Sequence, residues 1–326
     1  MHEATAKRRT LRALLRREET LIMPGGFSPL LAKIAERAGF ESYFLAGSQL
    51  SAFLYGDPDT GIVGMRDVVD HARHIAAQTT IPLLVDFDTG FGNAVNAWFA
   101  VQECVRAGAA ALQIEDQESP KKSGTSAGRA CISRAEAVGK YRAAIDARNQ
   151  LDSEFVVVAR CDALGAAGED FDSALARCIA YVEEGGADAV WLNSAQSREQ
   201  LETACRRIPA PVITIWGGQG PPPAAAEYQS LGVRCVLYPV IASAAGMQAA
   251  WRVLHDFRAC SAEALSDWAA WVKSSPYGAA DLKELSGLAR IRSMEEQFMP
   301  ADAQRDYEST WGHAGPLDQA AVPPKQ

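Results

Sequence analysis

The chain has 326 residues, 48% of them hydrophobic and 22% charged, a composition that suits a soluble globular protein with room for one large α/β barrel or two ordinary domains. A net charge of -8 and an isoelectric point near 5.3 argue against a nucleic-acid or anionic-membrane surface, so an anionic substrate would need locally placed positive charge. Seven cysteines, an odd number without a CxxC pair, suggest neither a disulfide framework nor a zinc cluster and fit a reducing cytoplasm.

Residues 1–20 are basic but lack the apolar core of a signal peptide, and no window approaches the length of a membrane span. Arg8 to Arg17 reads as a helix, Leu21 to Gly25 as a short strand ending in a turn, and Pro29 to Ala38 as a helix stopped by Gly39. Further strand-like runs follow at Tyr43–Gly47, Pro82–Asp88, Ala111–Asp116, Phe155–Asp162, Ala189–Ser194, Val212–Gly217 and Cys235–Pro239. Helical segments such as Met65–Gln78, Ala94–Arg106, Arg134–Arg148, Phe171–Glu184 and Ser197–Arg207 separate them. Repeated strand, loop and helix units imply parallel strands, and eight of them favour a closed (β/α)8 TIM-type barrel. An open doubly wound sheet is the alternative, but no GxGxxG follows the first strand. The barrel with its N-terminal helix is assigned to residues 1–241. Extra C-terminal helices are assigned to 242–300, near 242–260, 262–274 and 282–298, and the polar, proline-rich residues 301–326 to a mobile tail.

Chemistry in such a barrel sits at the carboxy-terminal ends of the strands. There the sequence places Gly47 and Ser48, Asp86 and Asp88, Glu115 and Asp116, Arg160 and Asp162, Asn193 and Ser194, and Trp216 and Gly217. Asp86 and Asp88, two apart on an extended chain, would point the same way, and like charges at a buried strand end call for a cation or shared protons. With Glu115 they form an all-oxygen set suited to Mg2+ or Mn2+; read without neighbours, the aspartates simply cap a helix. Arg160 offers a planar fork for a substrate carboxylate, or equally a structural ion pair with Asp162. None of the five histidines lies at a strand end, which argues against histidine-based nucleophilic catalysis and against zinc. The long polar segment from Gln117 to Arg129 stands where a lid would be, with Lys121 and Arg129 expected to neutralise an anion and Gly124 and Gly128 to supply hinge freedom; a solvated loop is the plainer reading.

The run LVDFDTGFGN, then AGAAALQIEDQESPKKSG, then FVVVARCDA, together with Gly56-Asp57-Pro58-Asp59-Thr60-Gly61 after the AGS turn, resembles the isocitrate lyase and phosphoenolpyruvate mutase superfamily over roughly Pro24 to Pro239. The resemblance implies a (β/α)8 barrel, a magnesium ion, enolate chemistry on a small 2-oxo acid, and homotetramers, dimers of dimers, that exchange a C-terminal helix. By position it implies Asp86, Asp88 and Glu115 as metal residues, directly or through water, with Asp59 nearby. It also assigns substrate binding to the Gly47 and Ser48 amides and to Arg160. Gly124, Asn193, Ser194 and Trp216, on the lid and at strand ends, are further substrate-binding candidates.

The departures bear on the reaction. The carbon–carbon lyases of that superfamily carry a cysteine in the lid as proton carrier, where this chain has Lys121-Lys122-Ser123-Gly124-Thr125, and a hydroxyl is a far weaker acid than a thiol. Ser123 is therefore expected to hydrogen-bond while Lys121 carries charge, and Cys131, the nearest thiol, is expected to pack in the core. Asn193-Ser194 is closer to the phosphonate-processing branch, Glu115-Asp116-Gln117 and Gly124 are closer to the lyases, and Trp216-Gly217-Gly218 matches neither. The expectation is a Mg-dependent lyase of a 2-hydroxy di- or tricarboxylate. A mutase, hydrolase or decarboxylase acting on phosphonopyruvate or another oxo acid, and a non-catalytic metabolite binder, are the alternatives.

Overall fold

The structure is a computed structural model that describes residues 2–274 and 285–305. The chain divides into two compact units, Met1–Ser243 and Ala244–Gln326, each described by itself.

The first unit is a closed barrel of eight parallel strands in sequence order. They are β1 (Leu21–Gly26), β2 (Tyr43–Leu45), β3 (Leu83–Asp86), β4 (Ala111–Glu115), β5 (Val156–Cys161), β6 (Ala189–Ala195), β7 (Val212–Trp216) and β8 (Cys235–Tyr238). Register is continuous around the ring: Glu115 pairs Arg160 across β4 and β5, and Leu21 pairs Cys235 where β1 meets β8. Strands such as Val156–Cys161 are buried along their whole length, as expected where side chains meet helices on one face and the barrel interior on the other.

The helices are α1 (His2–Arg16), α2 (Pro29–Arg37), α3 (Gly47–Leu54), α4 (Met65–Gln78), α5 (Ala94–Arg106), α6 (Arg134–Asn149), α7 (Phe171–Glu183), α8 (Arg198–Arg207) and α9 (Ala225–Ser230). Their starts follow side-chain caps: Ser28, Asn93, Ser133, Asp170 and Ser197 each accept a backbone N–H of the first turn. Gly47 and Ser48, assigned above to a strand end, instead open α3, because β2 stops at Leu45 and Ala46 caps the helix.

One core cluster lies between the strands and their helices, and a second fills the barrel. In the second, Leu11, Leu14 and Leu15 of α1 pack with Leu21, Met23, Phe44, Val158 and Trp191. Phe44 and Trp191 meet edge to face at 5.7 Å. The α1 side chains also cap carbonyls at the foot of the barrel: Lys7 donates to those of Ala76 and Thr79, and Arg8 to those of Val105 and Ala109 and to the Asp152 carboxylate.

The helix α10 (Ile241–Ser274), mostly in the second unit, leaves helical geometry at Cys260 and Ser261. A further helix, α11, spans Leu288–Phe298, and Ala301–Ala303 forms a 3-10 turn. The sequence-expected start of the last helix near 282, and the tail beyond 305, lie outside the described residues. Among the described residues no helix is long and apolar enough to cross a membrane.

Candidate functional site

Asp86 is the last residue of β3 and is buried. The Gly47 amide donates to its Oδ2 at 3.1 Å, the Asp88 amide donates to its Oδ1 at 3.1 Å, and Gln113 of β4 donates to the same Oδ1. Asp88 is not on an extended chain as the sequence spacing suggested. Its φ is 47°, a left-handed turn closed by the Asp86 carboxylate, which aspartate tolerates better than most residues. The two carboxylates converge because of this turn and not because of strand alternation. A β carbon on Gly47 would fall 3.0 Å from Asp86 Oδ2 and 3.2 Å from Asp88 Oδ1, so only glycine leaves that point open to both.

Lys121 lies within this acidic group. It is 4% exposed, and its ammonium sits 2.8 Å from Asp59 Oδ1 and 2.6 Å from Asp88 Oδ1. Burial alone would lower its pKa, but Glu115, Asp86, Asp88 and Asp59 together hold it well above the usual lysine value. Burial likewise pushes the Asp88 carboxyl up to about 6, with Asp86 and Asp59 adding to the rise and Lys121 opposing it.

Glu115 ends β4, fully buried, facing Arg160 Nη1 at 3.1 Å and accepting from Gln117 Nε2 at 3.1 Å. Its carboxyl is pushed well above the ordinary range by burial, which outweighs the neighbouring Arg160 and Lys121. Arg160 is also paired with Asp162 through Nε at 2.9 Å and Nη2 at 3.2 Å, so the structural ion pair offered as an alternative is present. Beneath it the Trp191 ring lies 4.4 Å from the guanidinium carbon. Asp162 is itself held by its own amide, which donates to Asp116 Oδ1 at 2.8 Å, while Tyr181 donates to Asp116 Oδ2 at 2.6 Å.

The Gln117–Arg129 segment crosses the mouth of the barrel. Its ends are pinned by a bridge between Gln117 and Cys131 and another between Arg129 and Ala166. The Gly124 carbonyl accepts from Asn193 Nδ2 at 3.0 Å, Ser194 Oγ at 3.3 Å and Arg129 Nη1 at 2.6 Å. Two sequence expectations are corrected here. Arg129, expected to neutralise an anion, is buried and donates to the carbonyls of Gly124, Ser126, Asp162 and Leu164, so its charge organises the segment instead. Gly124, expected to act as a hinge, is not among the positive-φ glycines, whereas Gly128 is, at 66°; what requires glycine at 124 is the closeness of Arg160. Ser123 is half-buried with its hydroxyl 3.2 Å from that of Thr125, and Cys131 packs partly buried against the outer core with its thiol pKa raised by burial.

These groups border a cavity of about 840 Å3 at the carboxy-terminal face of the strands. Ser48, Asp59, Asp86, Ser123, Gly124, Arg160, Asn193, Ser194 and Trp216 all line it, so the structure brings most of the sequence-chosen residues to one place. Gln113, Trp191, Ile215 and Tyr238 also belong to the site or its wall and were not singled out. Trp191 could have been found, because it lies two residues before Asn193 on the same face of β6.

Among the described residues no three His, Cys, Asp or Glu side chains are placed to hold one metal ion together. Asp86, Asp88 and Glu115 are thus not a direct three-acid ligand set in this geometry, since Glu115 faces Arg160 and Gln117. The donors still suit a hard divalent cation that keeps most of its waters. They are all oxygens, and Asp88 Oδ1 and Glu115 Oε2 are buried without a well-aligned hydrogen bond, although a cation stands near each.

A family model described as phosphoenolpyruvate phosphomutase matches residues 11–258. The 2,3-dimethylmalate lyase of Eubacterium barkeri is 33% identical over 293 residues, covering 88% of this chain and 96% of that one. The 2-methylisocitrate lyase of Aeropyrum pernix is 36% identical over 248 residues, 76% of this chain and 78% of that one. Among solved structures, the phosphoenolpyruvate phosphomutase of Streptomyces platensis subsp. rosaceus superposes with a TM-score of 0.79 at 32% identity, covering 89% of this chain and 99% of that one. A phosphonopyruvate hydrolase in complex with oxalate and Mg2+ superposes with a TM-score of 0.78 at 32% identity, covering 90% and 99%.

Proposed function

The chain belongs to the phosphoenolpyruvate phosphomutase family, and on that footing we propose that it is a Mg2+- or Mn2+-dependent lyase that breaks a carbon–carbon bond of a small 2-hydroxy di- or tricarboxylate. The observation that carries this reading is the gathering of Asp86, Asp88 and Glu115 at, or just beyond, the adjoining ends of β3 and β4, with Glu115 facing Arg160 under the Gly124 segment. The lyases acting on dimethylmalate and methylisocitrate, and the hydrolase complex holding oxalate and Mg2+, support it.

In this reading Asp86 and Asp88 would hold the ion, with Glu115 and Asp59 acting through water. Bound there, a divalent ion supplies positive charge to the oxygens of a 2-hydroxy or 2-oxo acid. Arg160, kept in position by Asp162 and Trp191, anchors the carboxylate of that acid, and the Ser48 amide with Asn193 and Ser194 fixes its orientation. The Gly47 amide, already donating to Asp86, holds that carboxylate in place for its role. Lys121 offsets the charge of the acidic group through its contacts with Asp59 and Asp88. The Gln117–Arg129 segment excludes water while the bond breaks.

A second reading, hydrolysis of a 2-oxo acid or phosphonopyruvate at the same acids, draws on one observation: no cysteine lines the cavity, and Ser123 offers only a weak acid to a carbanion. A panel of substituted malates, methylisocitrate, oxaloacetate and phosphonopyruvate with added MgCl2, read for 2-oxo acid, oxalate or phosphate, separates the two. Release of phosphate or oxalate without any 2-hydroxy acid cleavage would replace the lyase reading. We further read the protein as a cytoplasmic homotetramer assembled through its C-terminal helices, a reading supported by the exposed Trp251, Leu254 and Phe257 on α10.

A further inference from the structure

The cavity has two unlike sides. Strands β2, β3, β5 and β6 bring to it, at or near their ends or just beyond them, the polar groups Ser48, Asp86, Arg160 and Asn193. Strands β7 and β8 end in Trp216 and Tyr238, and the chain continues through Pro239, Val240 and Ile241 along the rim. Ile215 and Leu237, one residue before each of those strand ends, supply the wall below them.

Charge is confined to the first side. The charged residues lining the cavity are Asp59, Asp86, Arg129 and Arg160, and none belongs to β7, β8 or the loops that follow them. Arg129 is committed to main-chain carbonyls and to Asp162, and Arg198, 5.6 Å over the Trp216 ring, does not line the cavity and is paired with Glu227, so a second carboxylate projecting toward β8 meets no unpaired cation on the cavity wall. Size points the same way. Cavities of roughly 300–1,000 Å3 take ligands of drug size, whereas a three-carbon acid at Arg160 leaves most of the 840 Å3 here unfilled. Water in such a space would face Ile215, Leu237 and Val240 with few polar partners.

We propose that the 2-oxo acid half of the substrate carries an extended apolar arm, which runs from the Arg160 end along Ile215, Trp216, Leu237, Tyr238, Val240 and Ile241. The inference rests on the proposed function, which places the oxo-acid end at Arg160 and the acids. It adds the class of substituent that the site selects.

Binding of pyruvate, 2-oxobutyrate, 2-oxohexanoate and 2-oxooctanoate to the full chain, with and without MgCl2, tests it by calorimetry. With Mg2+, affinity is expected to rise about fourfold per added methylene until the arm reaches the rim. The matching acids ending in a second carboxylate are expected to bind more weakly than the alkyl acids. Flat or falling affinity along the series, while pyruvate still binds in a Mg2+-dependent way, overturns the apolar arm and leaves the site reading standing. Absence of Mg2+-dependent binding by every acid, pyruvate included, overturns both. Ile241→Glu and Val240→Glu, at exposed rim positions, are each expected to reduce 2-oxooctanoate affinity tenfold or more. An unchanged chain-length gain in both folded variants overturns the proposed course of the arm.

Discussion

Gly124 rests directly against the guanidinium of Arg160: a β carbon on Gly124 would fall 2.1 Å from Arg160 Nη2. The lid segment is therefore seated on the residue proposed to anchor the substrate. Gly124→Ala should push segment and arginine apart, and a displacement near 1 Å commonly costs about 100-fold in rate. The expected result is a kcat reduced by about that factor with the melting temperature nearly unchanged. Wild-type kcat in the variant would show that the segment does not close onto Arg160 during turnover.

Removing Asp86 should separate metal dependence from folding. Asp86→Ala leaves Gly47 N, Asp88 N and Gln113 without their shared acceptor but also relieves repulsion among buried acids. Turnover should vanish, and the thermal stabilisation given by saturating Mg2+ should vanish with it. Full wild-type activity in excess chelator would remove the basis for this expectation.

Ser123 and Lys121 should differ sharply. Among the described residues the Ser123 hydroxyl meets only that of Thr125, so Ser123→Ala should lose less than tenfold in kcat/KM. Lys121→Met leaves Asp59 and Asp88 uncompensated and should cost on the order of 1,000-fold, together with about 3 kcal/mol of stability. Steady-state kinetics and urea unfolding check both. A Ser123→Ala loss as complete as that of Asp86→Ala would place the hydroxyl in the bond-making or proton step.

The foot of the barrel should carry an acid-sensitive contact. Burial opposes ionisation of Asp152, yet hydrogen bonds from Thr5 and Arg8 lower its pKa below the ordinary carboxylate value. Because its folded pKa is depressed, the stabilisation is complete above the unfolded value near 4 and is lost as pH falls through the folded value. Arg8→Ala should cost about 3 kcal/mol near neutrality. Asp152→Asn should flatten the stability profile below pH 4, and identical profiles for variant and wild type would refute the assignment.

Assembly should depend on α10. Trp251 and Leu254 are 74% and 68% exposed on that helix, more than a lone soluble helix ordinarily leaves uncovered. Trp251→Glu combined with Leu254→Glu should shift the mass measured by light scattering to a smaller species. A mass unchanged from that of the unsubstituted protein would overturn the assignment of an interface to this helix.

The barrel was legible because its cues are local: each strand is a short, largely apolar run, and five of its helices begin at a side chain such as Asn93 or Ser197 that accepts one of the first amides. The acids at the ends of β3 and β4 were legible for the same reason, standing where a buried strand meets a turn. What the sequence could not give was direction after that turn. The spacing of Asp86 and Asp88 implied an extended chain, but a left-handed residue at 88 and a helix beginning at Gly47 decide how the carboxylates meet. Arg129 looked like a cation for an anion because its charge is visible in the sequence and the carbonyls that occupy it are not.

The clamp at the foot of the barrel also sets an order of events during synthesis. Helix α1 is synthesised before the strands it packs under, yet Arg8 finds its partners 97 to 144 residues later, and Arg12 bonds Asp188, 176 residues downstream. Until Val105 and the residues after it have been made, Arg8 holds none of those contacts, Arg12 waits for Asp188, and the leucine face lacks its full barrel interior until β8 completes the ring. The nascent protein thus carries an apolar helix face without its final packing until then, and ring closure, with its large loop-closure cost, falls late.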